Sequence, residues 1–363
     1  MTKNKLISNL LLLPTSKIYG LGVGIRNLMF KWRILKQREF DVPVVVVGNL
    51  AVGGTGKTPH VEYILELLKF KYHIGMISRG YKRKTKGFVL ATRRSTPLDI
   101  GDEPYQIYQK FGRDITVAVC EDRCAGIEEL LRIDPKINLI VLDDAFQHRY
   151  VKPTVSIVLT DFNAPVFSDS LLPHGRLREP MGAIYRADMV VVTKCPERLK
   201  AIEYRIFKNS LKLFPYQGLF FSAIEYSPLQ PLFPDEALQP PYLSWLTEAD
   251  SILALSGIAN PKPFVRYLRG FHAKVKVKQY PDHLHPPRPR QPAETLQRDG
   301  GGAQAAHHHG ERRRAPDQQS LLPPGAERLR LLPAGQSEIR PPQCRHLRRR
   351  AAETAAQLHK IIP

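Results

Sequence analysis

The sequence lacks several features that would direct a protein out of the cytosol. It has no apolar run near the roughly 20 residues that a membrane-spanning helix requires, and no small-residue cleavage site of the kind that ends a signal peptide. Its four cysteines show no disulfide spacing. Cys120 and Cys124 lie about one helical turn apart, but no second pair completes a metal site. We therefore expect a cytosolic protein with reduced thiols.

Acidic side chains are also scarce, since 34 Asp and Glu stand against 54 Lys and Arg and leave a formal net charge of +20. This surplus favours an anionic partner, which could be a nucleotide, a nucleic acid or an acidic membrane. Part of the charge lies in residues 284–363, which weakens the case for nucleic acid, and we expect none as a partner. The length of 363 residues fits one large or two ordinary domains.

Residues 284–363 contain no Val, Phe, Tyr or Trp, and their only Lys is Lys360. Pro, Arg, Gln and Ala dominate this tail. Such a composition predicts neither a packed strand nor a core, so we expect an atypical Pro/Arg-rich tail that is disordered. The abrupt change at Leu284 favours translation out of the ancestral reading frame, with a natural disordered extension as the alternative.

The most informative stretch runs from Val42 to His60. A β-branched apolar run, typical of a strand buried on both faces, leads into a Gly-rich turn, a Gly-Lys-Thr sequence and a helical pattern. This order is that of a phosphate-binding loop, in which backbone N–H groups and Lys57 hold phosphates and Thr58 ligates Mg²⁺. Ala51 stands where the usual pattern has Gly, and a Gly-rich turn without a ligand is the alternative. The predicted nucleotide-binding residues are Ala51, Val52, Gly53, Gly54, Thr55, Gly56, Lys57 and Thr58.

Further apolar runs alternate with helical patterns and predict an α/β fold with a P-loop-type doubly wound parallel sheet. The predicted strands are 73–78, 115–119, 137–142, 155–160 and 189–193. Weaker strand patterns at 216–224 and 251–258 predict a second, smaller α/β domain. The expected division is an amphipathic membrane-interface segment at 1–35, a P-loop domain at 36–214, a smaller domain at 215–283 and the tail at 284–363.

Charged residues follow several of these strands, at the sheet edge where open parallel sheets bind ligands. Asp143 and Asp144 end a buried strand downstream of the loop and are candidates for a Mg²⁺ site; a capped turn is the alternative. Glu179 could complete the metal shell. Candidates for binding a substrate, a phosphate or a water are Arg79, Arg123, Asp144, Gln147, His148, Arg176 and Arg178.

Two other features remain open on pattern alone. Asp102, in the sequence Gly101-Asp102-Glu103-Pro104, could cap a helix or act as a general base, and the cap is favoured. Residues 6–35 mix apolar and basic side chains, which fits either a helix lying in a membrane interface or an ordinary helix packed on the domain.

Taken together and in order, the motifs resemble those of tetraacyldisaccharide 4'-kinases over roughly residues 1–283. The motifs that carry this resemblance are Gly48-Asn49-Leu50, Val52-Gly53-Gly54-Thr55-Gly56-Lys57-Thr58-Pro59, Ser78-Arg79-Gly80-Tyr81, Gly101-Asp102-Glu103-Pro104, Glu121-Asp122-Arg123, Asp143-Asp144-Ala145-Phe146-Gln147-His148 and Leu172-Pro173-His174-Gly175-Arg176-Leu177-Arg178-Glu179. Each motif alone is modest, whereas their combination and spacing are specific.

The resemblance implies a lipid-sugar kinase that uses ATP and Mg²⁺ to phosphorylate the 4'-hydroxyl of an acylated disaccharide 1-phosphate, giving lipid IVA. It implies a peripheral protein on the cytoplasmic face of the bacterial inner membrane. It also implies Asp102 as general base, paired with His283, with Leu284 where a second His often stands. The family's later Thr-Glu-Lys-Asp motif is not found, which predicts an incomplete smaller domain.

Two other function classes fit part of the pattern. A P-loop kinase or NTPase acting on a soluble small molecule would need no lipid. A basic module that binds membrane or nucleic acid would use the loop only as a regulatory nucleotide site and would bind in a salt-sensitive way. The carboxylates and arginines at successive strand ends favour the kinase over both, and the sequence predicts no oligomeric state.

Overall fold

The computed structural model describes residues 3–226, 252–256, 261–271, 274–279 and 327–332. The strands are β1 (Val44–Asn49), β2 (Ile74–Ser78), β3 (Val89–Leu90), β4 (Thr116–Val119), β5 (Leu139–Asp143), β6 (Val155–Asp161), β7 (Met189–Thr193), β8 (Gly218–Tyr226), β9 (Ile252–Ser256), β10 (Val275–Gln279) and β11 (Glu327–Leu332). The α-helices are α1 (Lys3–Lys31), α2 (Lys57–Leu68), α3 (Pro97–Ile100), α4 (Asp102–Phe111), α5 (Arg123–Ile133), α6 (Ala201–Leu211) and α7 (Lys262–Arg269).

Chain contacts define two units, one of residues 1–226 with 327–363 and one of residues 227–326. In the first, nine strands form one sheet in the order β11-β8-β7-β6-β1-β5-β2-β4-β3. All neighbouring pairs are parallel except β3–β4 and β8–β11 at the two edges. The predicted P-loop-type parallel sheet is therefore confirmed.

The first strand, β1, lies at the centre of the sheet and sets up the site that follows it. Its residues are all buried, and alternate side chains enter two different apolar clusters, which explains the unbroken β-branched run. Val47 is paired with Asp143, the last residue of β5, so this carboxylate lies beside the strand that leads into the loop. At Gly48 a Cβ would lie 2.6 Å from that of Phe146, so only glycine allows this approach.

Two strands of the main sheet differ from what the sequence predicts. The second domain was expected from residue 215, but β8 pairs in parallel with β7 and is part of the main sheet. The tail was expected to hold no packed strand, but Glu327–Leu332 form β11, antiparallel to β8. Backbone groups form a ladder whatever the side chains are, and Arg and Leu alternate at 328–331, as they do in a strand with one apolar face.

The other predictions for the C-terminal part concern the smaller domain and the tail. In the second unit β9 and β10 pair in parallel, with Val275 opposite Ile252, and α7 lies between them in the chain. His283 lies outside the described residues, and so does the tail apart from β11.

The N-terminal segment folds as one long helix, α1, through Pro14. One face packs on the domain, because Phe30 is buried and the Ser16 hydroxyl donates to the carbonyl of Leu171. The other face exposes apolar side chains three to five residues apart: Leu13, Ile18, Leu21, Ile25 and Leu28. Among the residues that the structure describes, no helix has both the length and the apolar composition needed to cross a membrane.

Candidate functional site

The predicted phosphate-binding loop lies between β1 and α2. Gly53 and Gly56 have φ angles of 110° and 83°, the left-handed region that glycine enters without strain. Lys57 is the first residue of α2, so the loop opens onto a helix N-terminus whose N–H groups and dipole favour an anion. The geometry is that of a loop built to hold phosphate groups.

Asn49, the last residue of β1, holds two residues of this loop against the end of the strand. Its amide nitrogen donates to the Ala51 carbonyl at 2.6 Å and to the Thr55 hydroxyl at 2.8 Å, and the side chain is fully buried. The amide of Val52 donates to the carbonyl of Arg176. Sequence reasoning missed Asn49 as a site residue, although its position between a buried strand and a Gly-rich turn was a usable signal.

Lys57 and Asp144 face each other across the site. The ammonium nitrogen of Lys57 lies 3.7 Å from an oxygen of Asp144, and the guanidinium of Arg178 donates to the same carboxylate at 3.1 Å. Asp144 follows β5 with a φ of 45°. The structure therefore brings together the predicted phosphate lysine, one predicted acid and one predicted arginine.

Asp143 is the most buried acid of the site, with no exposed surface. One of its oxygens accepts from Ser78 at 3.3 Å, while the other has no hydrogen-bond partner among the described residues. The pKa of Asp143 is raised to about 7, mainly by burial and then by the nearby carboxylates of Glu103 and Asp144, while Lys57 and Arg123 act in the opposite direction. An unpartnered buried carboxylate oxygen beside a phosphate loop fits a divalent cation, since Mg²⁺ prefers oxygen ligands.

Glu179 is placed differently from its predicted role. It is 2% exposed, and its two oxygens accept from the guanidinium of Arg186 at 2.9 and 2.8 Å. The amide of Asn27, on α1, donates to one of them at 3.2 Å. These contacts make Glu179 part of an ion pair that ties α1 to the domain, and they give no support to the predicted metal role.

Arg123 is likewise committed to the protein. Its side chain is buried and donates to the backbone carbonyls of Cys120, Glu121 and Asp143 at 3.0, 3.0 and 3.4 Å. Its guanidinium connects the turn after β4 to the end of β5. Its predicted role in binding a substrate phosphate therefore finds no support in these contacts.

His148 lies beside Arg123 in a positively charged environment. The pKa of His148 is lowered to about 4, mainly by burial and then by the nearby Arg123 guanidinium. Its Nε2 accepts a hydrogen bond from the backbone amide of Arg123 at 3.3 Å. Together with Asp122 and Cys124, His148 forms a group of side chains of the types that bind metal ions. Asp122 already caps α5, however, and the surrounding arginines disfavour a cation.

The other predicted phosphate candidates are distributed around the loop. Gln147 donates to the carbonyl of Asn49 at 2.7 Å and accepts from Arg178, which places it inside the site. Arg176 pairs with Asp169 at 2.8 Å. Arg79 is exposed just after β2.

Asp102 is the first residue of α4 rather than its cap, because Gly101 occupies the cap position with a φ of 91°. The Asp102 side chain is exposed. Its neighbour Glu103 raises the pKa of Asp143, as a nearby carboxylate does. The favoured cap assignment is wrong in this detail, and the general-base role of Asp102 stays a prediction.

Comparisons with known proteins agree on one family. The family model for LpxK, tetraacyldisaccharide-1-P 4'-kinase, matches residues 8–298. Tetraacyldisaccharide 4'-kinase of Bacteroides thetaiotaomicron is 50% identical over 281 residues, 76% of this chain and 73% of the relative. That of Porphyromonas gingivalis strain W83 is 50% identical over 273 residues, 74% of each chain. A crystal structure of Aquifex aeolicus LpxK in complex with ATP has a TM-score of 0.66 at 26% identity and covers 97% of this chain and 98% of that one.

Proposed function

The chain belongs to the tetraacyldisaccharide 4'-kinase family, and on that basis we propose that it transfers the γ-phosphoryl group of ATP to the 4'-hydroxyl of a tetraacylated disaccharide 1-phosphate, giving lipid IVA. The observation that carries the proposal is the convergence of Lys57, Asp144 and the buried Asp143 at one edge of the sheet. Phosphoryl transfer depends mainly on positioning and on neutralising charge, and this edge supplies both.

The loop and Lys57 hold the triphosphate in this mechanism. Amides of residues 51–56 and the first turn of α2 donate to the phosphate oxygens, while Lys57 neutralises charge on the β- and γ-phosphates. In the structure Lys57 faces Asp144 at 3.7 Å. A bound nucleotide gives Lys57 a second anion, and Asp144 keeps the lysine aimed at it.

Asp143 and Thr58 are the residues that would hold Mg²⁺. The unpartnered oxygen of Asp143 fits a cation, and Thr58 follows Lys57 in the first turn of α2. When bound, the metal ion neutralises developing charge on the phosphoryl oxygens. Burial of Asp143 keeps this carboxylate away from water and in one orientation.

The general base is Asp102, which accepts the proton of the sugar hydroxyl as the bond to phosphorus forms. Its exposed position at the start of α4 leaves room for a sugar. The family resemblance adds His283 as the group that orients this carboxylate. Arg79 and Arg176 are the exposed or partly exposed cations left for the substrate 1-phosphate.

The substrate's acyl chains and the inner-membrane surface are the partners we propose for α1. Its exposed face carries Ile18, Leu21 and Ile25, with Lys17 and Lys31 nearby, a combination that suits a membrane interface with anionic headgroups. The opposite face is fixed to the domain by Asn27 and Phe30. This arrangement supports peripheral binding at the cytoplasmic face.

The proposed activity is tested with the full chain, labelled ATP, Mg²⁺ and the acylated disaccharide 1-phosphate in detergent micelles. We expect ATP-dependent formation of the 4'-phosphorylated lipid, identified by mass spectrometry. The same disaccharide without acyl chains is the control, and we expect it to react poorly. Equal or faster phosphorylation of the deacylated sugar would support the soluble-substrate alternative instead, and nucleotide binding without any transfer would exclude the kinase.

The metal assignment predicts different results for two buried acids. Asp143→Asn should raise the Mg²⁺ concentration for half-maximal activity at least tenfold, because the amide removes an anionic ligand. Glu179→Gln should leave that concentration unchanged but lower the melting temperature, since Arg186 loses its partner; the cost of about 3 kcal/mol corresponds to roughly 8 °C. Mg²⁺ titrations and thermal scans of both variants measure this, and a Mg²⁺ defect in Glu179→Gln would restore its metal role.

A further inference from the structure

Backbone carbonyls of the phosphate-binding loop accept hydrogen bonds from side chains outside the loop. Three successive backbone carbonyls, those of residues 54–56, each accept a hydrogen bond from such a side chain. The donors, in the order of the loop, are Lys194, Thr193 and His60. Two of them stand at the end of β7 and the third is in the second turn of α2. No predicted site residue is among these donors.

His60 makes the contact that is least expected from its sequence position. Its Nδ1 lies 2.6 Å from the Gly56 carbonyl oxygen, and its Nε2 lies 2.9 Å from the hydroxyl of Ser222 on β8. The ring is 6% exposed and Ser222 is fully buried. The backbone amide of His60 reaches the same Gly56 oxygen only at 3.4 Å, so the ring provides the shorter contact.

The partners determine which ring nitrogen carries the proton. A carbonyl oxygen can only accept, so the Nδ1 of His60 must be the N–H donor to Gly56. In the neutral ring Nε2 is then an acceptor, and the hydroxyl of Ser222 donates to it. The imidazole thus connects the loop to β8 with both nitrogens used, which is what a buried histidine requires.

The direction of the Gly56 carbonyl also fixes the direction of an amide. The Gly56 carbonyl and the Lys57 N–H belong to one planar peptide group and point in opposite directions. Because the His60 ring holds the Gly56 carbonyl, the Lys57 N–H points away from His60, towards the side where we place the phosphates. Thr193 does the same for the Gly56 N–H by holding the Thr55 carbonyl at 2.8 Å. The Thr55 amide itself donates to the Gly53 carbonyl.

We propose that His60 is a positioning residue for nucleotide binding: through the Gly56 carbonyl it aims the Lys57 amide at the bound phosphates, and through Ser222 it anchors the loop to β8. The proposal rests on the proposed ATP site but adds a residue that does not touch the nucleotide. Gly56 is a glycine in the left-handed region, and since glycine has more backbone freedom than other residues, a side-chain hydrogen bond to its carbonyl restricts it there.

Two conservative replacements separate the two contacts of His60. In His60→Asn the amide nitrogen takes the place of Nδ1 and can still donate to Gly56, whereas the longer His60→Gln reaches the Ser222 side only. We expect His60→Gln and His60→Leu to raise the Kd and KM for MgATP about tenfold, the effect of one lost hydrogen bond. His60→Asn should stay within about threefold of the wild type, and kcat should change little in all three.

Several outcomes would overturn the proposal. Equal loss of ATP affinity in His60→Asn and His60→Leu would reduce the role to packing, and normal affinity in His60→Gln would show that the carbonyl needs no tether. A fall in kcat with an unchanged KM would also contradict it. The exposed His73 supplies the control, and His73→Gln should bind MgATP normally.

A measurement on the wild-type protein tests the proposal even if the His60 variants fail to fold. Nitrogen-15 spectra of labelled histidine should show the His60 ring protonated at Nδ1 and unprotonated at Nε2, both before and after MgATP is added. The opposite tautomer would exclude the proposal. Wild-type protein that binds no MgATP would defeat the proposed function itself, whereas wild-type binding with unaffected His60 variants would defeat only this inference.

Discussion

Lys57→Ala is expected to lower kcat/KM for phosphoryl transfer by about a thousandfold, because one buried cation acts on the charge that develops at the transferred group. The Lys57 side chain is only 11% exposed, so its charge is weakly screened by water. Its loss also leaves Asp144 with Arg178 as the remaining cation within hydrogen-bonding distance. Steady-state kinetics and MgATP binding by calorimetry measure the two parts of the effect.

The matched control is Lys208→Ala, which removes an exposed lysine of α6 and should leave both measurements unchanged. Lys57→Arg is a second useful variant, since it keeps the charge but not the shape of the ammonium group. We expect it to recover some nucleotide binding and little turnover. If Lys57→Ala binds MgATP and turns over at the wild-type rate, the loop is not the nucleotide site and the proposed mechanism fails.

Much of the fold followed from short-range patterns. The β-branched run of β1 is buried on both faces, as the sequence predicts, because helices cover both sides of a parallel sheet. The phosphate loop could be predicted since glycines, a lysine and the start of a helix are adjacent in the chain. Asp143 and Asp144 could be placed next to it because parallel strands end at the same edge.

The parts that could not be predicted depend on contacts between distant residues. Glu179 has the same sequence context as a metal ligand, and only the fold shows that Arg186 and Asn27 surround it. Arg123 similarly looks like a phosphate ligand until its guanidinium is seen among backbone carbonyls. β8 was assigned to the wrong domain because a strand pattern in the sequence does not identify the partner strand. The structure shows that β8 pairs in parallel with β7 of the main sheet.

His60 illustrates how a weak signal could have been used. In sequence it lies on the apolar side of a predicted helix, where a histidine is most often a satisfied core residue. It is also four residues after Gly56, the spacing at which a side chain reaches back over the first turn of a helix. The polar pair Thr193 and Lys194 at the end of a buried strand gives the same kind of signal for residues that support a loop.

Asp102→Asn should lower kcat by about a thousandfold, within the range for removing a general base, while the Kd for MgATP stays within twofold of the wild type. The amide keeps the size of the carboxylate and its place at the start of α4, but it cannot take the sugar proton. A Cβ at Gly101 would lie 3.0 Å from the Tyr81 carbonyl oxygen and 3.1 Å from Gly80, so α4 begins tightly against the turn after β2.

That packing is the reason for expecting the effect on turnover rather than on nucleotide binding. β2 is next to β5 in the sheet, so the turn at Gly80 holds Asp102 on the side of the site where Asp143 ends its strand. Asp114→Asn, which alters an exposed carboxylate beyond the other end of α4, should have wild-type kcat. If Asp102→Asn instead weakens MgATP binding as much as it lowers kcat, the carboxylate acts on the nucleotide or its metal, and the proton acceptor must be another group at the same edge.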